Sequence, residues 1–439
     1  MDRSCLAEPT LRSAADLESC LREWRTPELA ALGLPTEFVL PCYDISIANL
    51  PATAAAALGG EVEGGLPSLP ANLCGDLIAG VRRVVWLIFD SVGWLHLSCL
   101  LEQEPELFLA RLARDGRFLP ITSVFPSTTT SALTTLWTGF APAQHGLVGH
   151  TLYLREFGVV ADMLMLSPSG AARREELVER GLDRETFLPV PGLGHSLAAN
   201  GIVTRALINM ELARTGFSHL SFRGVAQVTR FVTAADMAVL LRQTLEAHPE
   251  ERLLVSGYLA EIDSIGHMHG PQSASWCAEL RSVDRSLEHE FVRPLSPELR
   301  KGTLLMVTAD HGQMTGQGSP ILLADHPQLA DDLLLPATGS ARTAYIYVRQ
   351  GRLEAVREYL ERHLSDQFAV LDSRAALEAG LLGPVTSAAM PASRLGDLIL
   401  MARDHFLFNH RRREHRPKGM HAGSSPEEML TPLLMVRLD

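Results

Sequence analysis

Three aspartates, three histidines and one crowded run of hydroxyls are the side chains of this sequence whose types and spacing suggest joint chemistry. In "YLAEIDSIGHMHGP", Asp263 and His267 are four residues apart, which suits two metal ligands on one helical turn or in a tight loop after a strand. In "TADHGQM", Asp310 and His311 are adjacent, and Gly312 permits a bend from which the two side chains diverge toward neighbouring ions. Asp90 closes "RVVWLIFD" and is followed by small residues that let a ligand approach. His421 sits in "KGMHAGSSPEEM", a Gly- and Ser-rich loop before a final apolar run. Taken singly, each has an ordinary reading as a cap, a turn residue or a surface histidine. Taken together, mixed Asp/His ligation suits two divalent ions, zinc first and manganese second because oxygen ligands are plentiful. Two ions roughly 4 Å apart can activate a nucleophile, clamp phosphoryl oxygens and stabilise a leaving oxygen.

The hydroxyls lie in "FPSTTTSALTTLWTG", from Phe125 to Gly139. Ser127, Thr128, Thr129, Thr130 and Ser131 follow Pro126 where a helix is about to begin, so helix capping is the plain expectation. The alternative is that one of them is a nucleophile at a helix N-terminus, where phosphate oxygens are favoured.

These residues need a scaffold that gathers them. "RVVWLIFD", "RLLVSGYLAEID" and "GTLLMVTAD" read as apolar strands ending at Asp90, Asp263 and Asp310. "GIVTRALI", "QVTRFVTA", "TAYIYVR" and "LGDLILMA" are further candidates. Helix-like stretches separate them at 94–115, 234–247, 273–291 and 352–364. The alternation predicts an α/β fold, a three-layer α/β/α sandwich around a largely parallel central sheet. In such sheets ligands collect beyond the carboxyl ends of the strands. Residues 1–80 read as a helical and irregular N-terminal arm.

Composition narrows the partners. The chain has 439 residues, 46% hydrophobic and 21% charged, as expected for a substantial globular core. A formal charge of −12 argues against nucleic-acid polymers, while bound cations can still make one site attractive to phosphate. Cys5, Cys20, Cys42, Cys74, Cys99 and Cys277 are scattered without a CxxC pair, so no zinc ribbon or small disulfide scaffold is expected. No secretory signal and no membrane-length apolar run is visible, which predicts a cytoplasmic protein without membrane attachment.

From about Arg83 onward, "FDSVG", "FPSTTTSALTTLWTGFAPAQHGLVGH", "EIDSIGHMHGP", "TADHGQM" and "GMHAGSSPEEMLTPLL" occur in an order that resembles the alkaline phosphatase superfamily, in its nucleotide pyrophosphatase/phosphodiesterase-like branch. The resemblance implies an 81–439 catalytic domain in which 151–251 is an inserted cap. It implies that Asp90, Thr129, Asp310 and His311 surround one metal, and that Asp263, His267 and His421 hold the other. The family's interval back from Thr138–Gly139 lands on Thr129 as nucleophile; Thr128 is the one-residue alternative at a helix start. The implied activity is hydrolysis of phosphodiester or pyrophosphate bonds in nucleotide-type or related small substrates, through a phospho-threonine. The family pattern is broken at Ala132, where an asparagine usually donates to a phosphoryl oxygen. A phosphomonoesterase or phosphomutase on the same metals is the rival, with "HRRREHRPKG" as a possible anion receptor. Sulfatase context is absent, and the intact ligand set argues against a silent binding protein.

Overall fold

The computed structural model describes residues 13–316, 320–385, 392–410 and 417–439. Its main sheet contains β1 (Arg83–Phe89), β2 (Arg117–Thr122), β3 (Val203–Asn209), β4 (Gln227–Phe231), β5 (Leu253–Leu259), β6 (Thr303–Thr308) and β7 (Leu430–Arg437). Their spatial order is β2-β7-β6-β1-β5-β3-β4. β1 pairs in parallel with both β5 and β6, and β3 lies in parallel between β5 and β4. β7 is antiparallel to β6 and to β2.

The central strands are apolar at nearly every position because both faces of the sheet are covered. β1 divides its side chains by the two-residue period. Val85, Leu87 and Phe89 enter one core, with Met237, Leu241, Trp276 and Leu280. Val84, Trp86 and Ile88 enter the other, with Leu40, Ile47, Ala54, Leu136 and Trp137. The helices that matter below are α1 (Thr129–Leu136), α2 (Gly216–Ser221), α3 (Ala234–Ala247), α4 (Glu261–His269) and α5 (Ala274–Ser286). Thr233 and Ser273 start α3 and α5 by accepting from the backbone amides of Asp236 and Trp276. This is the α/β architecture with a mostly parallel sheet that the alternation of elements predicts.

Several details differ from the expectation. The helical stretch at 94–115 is two helices, Trp94–Gln103 and Phe108–Asp115, because Pro105 disfavours helical geometry at Glu104 and supplies no amide. "TAYIYVR" and "LGDLILMA" do not join the main sheet. They pair antiparallel in a second sheet that also takes Thr151–Leu154, Val159–Asp162 and Ser167–Pro168. The 151–251 segment is therefore divided: its first strands enter the second sheet, while β3 and β4 are parallel strands of the main one. Between residues 13 and 80, short helices such as Leu50–Ala57 are packed into the larger core. Among the described residues, no helix is long and apolar enough to cross a membrane.

A buried ion pair joins the two sheets. Arg342, just before the second-sheet strand Thr343–Ile346, grips Glu428 just before β7 with two bonds of 2.6 and 2.9 Å, both side chains at most 1% exposed. Asp404 and Phe406 carbonyls accept the remaining Arg342 donors, and the Gly423 and Ser425 amides complete Glu428. Removing one partner leaves a buried charge unpaired, which costs about 3–5 kcal/mol, whereas replacing both with apolar groups of similar volume is often close to neutral. Glu428→Ala is expected to lose about that amount in urea unfolding, and Arg342→Met/Glu428→Met to recover most of it. Equal losses in the two variants would show that charge balance is not what the pair contributes.

Candidate active site

The parallel register brings the carboxyl ends of β5, β1 and β6 side by side, with Phe89 opposite Leu259 and Ile88 opposite Thr308. Asp90 follows β1 directly, and Asp310 and His311 follow β6 by two and three residues. Asp263 is placed differently from the expected strand end. β5 stops at Leu259, and Asp263 and His267 lie one turn apart on α4. His421 comes from the loop preceding β7, and α1 begins at Thr129.

Asp90, Asp310 and His311 bring one ligand atom each within 4.8 Å of one another, and Asp263, His267 and His421 do the same. In the first group, His311 Nδ1–H donates to the Gly312 carbonyl at 3.0 Å, so Nε2 presents a lone pair. That Nε2 lies 3.3 Å from Asp310 Oδ2 and 3.6 Å from Asp90 Oδ1. Both carboxylate oxygens are buried without a hydrogen-bond donor. The remaining oxygens are occupied: Tyr258 donates to Asp90 Oδ2, and the Ser91 and His311 amides donate to Asp310 Oδ1. Burial, then the charges of Asp310 and Asp263, push the Asp90 carboxyl well above the usual range. Burial pushes Asp310 up to about 6 and His311 down to about 4. Lone pairs facing lone pairs in a dry site are the donor set of a cation, and these residues fit one.

The second group repeats the device. His267 Nδ1–H donates to the Gly419 carbonyl at 2.7 Å, and His421 Nδ1–H to the Ser127 carbonyl at 3.4 Å. Their Nε2 atoms face Asp263 Oδ1 at 3.4 and 3.9 Å. Burial first, and the neighbouring His311 second, hold His421 well below the usual histidine range. The His311 and His421 rings stack with centroids 4.1 Å apart, which sets the two groups side by side.

The hydroxyl run sorts itself by bonding. Ser127 donates to the Gly423 carbonyl, Thr130 to Gly149, Thr134 to Thr130 and Thr138 to Thr134, while Thr135 meets His145. Thr129 Oγ1 lies 3.1 Å from His311 Nε2. Because that nitrogen is an acceptor, the threonine hydroxyl donates. Capping, the plain expectation, is not what the run does at α1: Thr128 precedes the helix without a side-chain cap bond, leaving the first amides available to a ligand. Ala132 is buried in the larger core, so a replacement phosphoryl donor comes from elsewhere than this position.

Two residues absent from the sequence reading belong to the site. Tyr258, on β5, orients Asp90. Gln313 is fully buried and donates to Asp263 Oδ1 at 3.1 Å, linking the loop of the first group to the second. A Cβ at Gly266 or Gly419 would collide with its carboxamide, so the two glycines make its room. Its position two residues after His311 was the available signal. Beside Thr129, Asp90 and Asp263 opens a cleft of about 230 Å³, whose other wall is built from Leu212 to Phe222.

A family model for type I phosphodiesterase/nucleotide pyrophosphatase matches residues 84–424. Among solved structures, murine ectonucleotide pyrophosphatase/phosphodiesterase 5 superposes with a TM-score of 0.60 at 17% identity, over 80% of this chain and 87% of that one. An inactive form of the murine protein, in complex with AMP, gives 0.59 at 17% identity, over 80% and 87%. Phosphonoacetate hydrolase from Sinorhizobium meliloti 1021, in complex with phosphonoformate, gives 0.59 at 17% identity, over 81% and 90%. At this identity the structural likeness establishes a shared fold. No curated protein matches the sequence.

The raised carboxyl values make cation binding pH-dependent with a defined sign. In the cation-free site Asp90, raised well above the usual carboxyl range, keeps a proton as pH falls, and Asp310 takes a second one below about pH 6. His311, held at about 4, adds no competing proton in that range. Zinc affinity, measured by competition with a chromogenic chelator, is expected to fall as pH falls while Asp90 takes up its proton, and more steeply below about pH 6 where Asp310 takes up a second, by about tenfold per unit for each proton displaced. A flat profile down to pH 5 would contradict the assignment of these acids to the cation.

Proposed function

The chain belongs to the type I phosphodiesterase/nucleotide pyrophosphatase family, and on that premise we propose that it is a metal-dependent hydrolase of phosphodiester or pyrophosphate bonds in small substrates, acting through a phospho-threonine at Thr129. The observation that carries the reading is the Thr129 hydroxyl, 3.1 Å from His311 at an uncapped helix start beside two cation-ready groups. Asp90, Thr129, Asp310 and His311 would hold one divalent ion and Asp263, His267 and His421 the other, zinc for preference and manganese as the alternative. When bound, such ions supply the positive field that lowers the pKa of a hydroxyl and neutralises phosphoryl and leaving oxygens.

The chain's own residues supply the rest. Thr129 Oγ1 loses its proton and attacks phosphorus, the bond to the leaving oxygen breaks, that oxygen takes up a proton and, for a diester, departs as an alcohol, and the phosphoryl group is carried on the threonine. Water then cleaves the Oγ1–P link and restores the hydroxyl. The open amides at the start of α1 donate to the phosphoryl oxygens and substitute for the donor lost at Ala132. Tyr258 and Gln313 fix the Asp90 and Asp263 carboxylates.

A diester is the favoured substrate. A monoester carries one more negative charge, and a site for it gains from an added cation. No lysine or arginine is among the described residues lining the cleft. Arg411, Arg412, Arg413 and Arg416 of the basic run proposed for a mutase lie outside the described residues.

Thr129→Ala is expected to lower kcat by about 10³-fold or more while retaining metal, and Thr128→Ala to stay within about tenfold of the parent enzyme. Activity lost in Thr128→Ala and kept in Thr129→Ala would move the nucleophile by one residue. Elemental analysis should find about two divalent ions per chain, and His421→Ala about one fewer. Unchanged stoichiometry would return His421 to an ordinary loop role. On paired aryl esters, a monoester kcat/KM tenfold above the diester, about 1.4 kcal/mol of barrier, would reject the diesterase assignment.

A further inference from the structure

Thr129 shares its cleft with apolar side chains from two segments. Leu133 and Trp137 come from α1 and its end, and Leu212, Phe217 and Phe222 from the segment around α2. Trp137 meets Phe222 edge to face, with ring centroids 4.7 Å apart. An ester substituent next to an attacked phosphorus would lie here, since Thr129, Asp90 and Asp263 line the same cleft.

The hydroxyls lining the cleft donate to acceptors of the protein itself, Ser264 of α4 to the Ala260 carbonyl at 3.4 Å. Thr215 and Ser218 donate to the Leu212 carbonyl at 3.0 and 2.8 Å and contact each other at 2.9 Å. Ser221 donates to the Phe217 carbonyl at 3.0 Å. Tyr258 spends its proton on Asp90. These hydroxyls therefore present lone pairs, not protons, to whatever occupies the cleft. No lysine, arginine or histidine is among the described lining residues. Arg223, next to the wall, is buried with its guanidinium donating to the Leu220, Glu185 and Val190 carbonyls. An anion placed there would lose its water and find no donor in exchange, a cost that apolar contact does not offset.

We infer that this cleft selects a phosphodiester whose substituent is itself uncharged, apolar in body and able to donate hydrogen bonds, and that it rejects a substituent bearing its own phosphate or carboxylate. The inference rests on the reading of Thr129 as nucleophile for its orientation toward the substrate. It separates this chain from any site that recognises a second anionic group, and it locates the selecting surface in Leu212 to Phe222.

A matched pair of symmetric diesters tests it, because either arm then presents the same group to the cleft. Bis(4-carbamoylphenyl) phosphate is neutral in its arms and carries amide donors; bis(4-carboxyphenyl) phosphate has nearly the same shape and an anion in each arm. With zinc-loaded enzyme at high salt, which screens the overall negative charge, the carbamoyl ester is expected to exceed the carboxyl ester in kcat/KM by about 100-fold or more. Leu212→Arg should narrow that ratio at least about tenfold, whereas Leu212→Met should keep it. Calorimetric binding of both esters to zinc-loaded Thr129→Ala reads the cleft without turnover. Preference in binding with no turnover of either ester by the parent enzyme supports the cleft and sinks the nucleophile. Equal binding of the two esters, or a ratio within about threefold, overturns the inference whatever the turnover.

Discussion

The arrangement that governs this molecule is a convergence of acceptor atoms that suits a counter-charge. Asp90 Oδ1, Asp310 Oδ2 and His311 Nε2 point at one another in a buried cluster, and neither carboxylate oxygen receives a hydrogen bond there. Such a cluster is costly in an empty protein and favourable around a cation. The surroundings maintain it. Parallel pairing of β1 with β6 fixes the separation of the two acids, the Ser91 and His311 amides hold one oxygen of Asp310, and Tyr258 holds one oxygen of Asp90. In each carboxylate the bound oxygen determines where the free one points.

The second sheet serves the same centre from a distance. His421 belongs to a loop with little regular structure, yet the loop is tied at several points. Arg342 binds Glu428, Thr343 donates to the Ala422 carbonyl at 2.6 Å, and Val39 donates to the Ser424 carbonyl at 2.8 Å. Ala422, next to His421, has φ of 87°, a conformation that alanine avoids when left to itself. The cost is held by these neighbours, and the result is an imidazole turned against Asp263 and stacked on His311.

Much of this was legible in the sequence because burial on two faces writes itself as continuous apolar runs. "VVWLIF", "LLVSGYL" and "TLLMVT" are such runs, and the acids beyond Phe89 and Thr308 fall at the sheet's carboxyl edge. Asp263 was harder, since "LAEID" continues the apolar pattern while the backbone turns into α4 at Glu261. The destination of "TAYIYVR" and "LGDLILMA" was hidden for a different reason: a short apolar strand does not say which sheet it joins. The division of 151–251 follows from the same ambiguity. Tyr258 carried no spacing signal, because it acts on an acid 168 residues away; Gln313 had only its place two residues after His311, and the acid it holds, Asp263, lies on a different element. The hydroxyl run was ambiguous until Ser127, Thr130, Thr134, Thr135 and Thr138 each had a carbonyl or a histidine to bind.

β7 runs against β6 and pairs with β2 on its other side, so the main sheet is continuous only when this late segment slots between two strands already made. His421, which precedes it, lies 294 residues beyond the Ser127 carbonyl that it bonds. Contacts of such long range form slowly compared with those within one helix or hairpin. On the ribosome, Asp90, Thr129, Asp263 and Asp310 all emerge well before His421 does. A partly synthesised chain therefore displays acids and a hydroxyl but lacks the imidazole and the strand that close the centre. Bringing His421 against Asp263 and His311 is therefore a late step of assembly, coupled to the docking of the last strand.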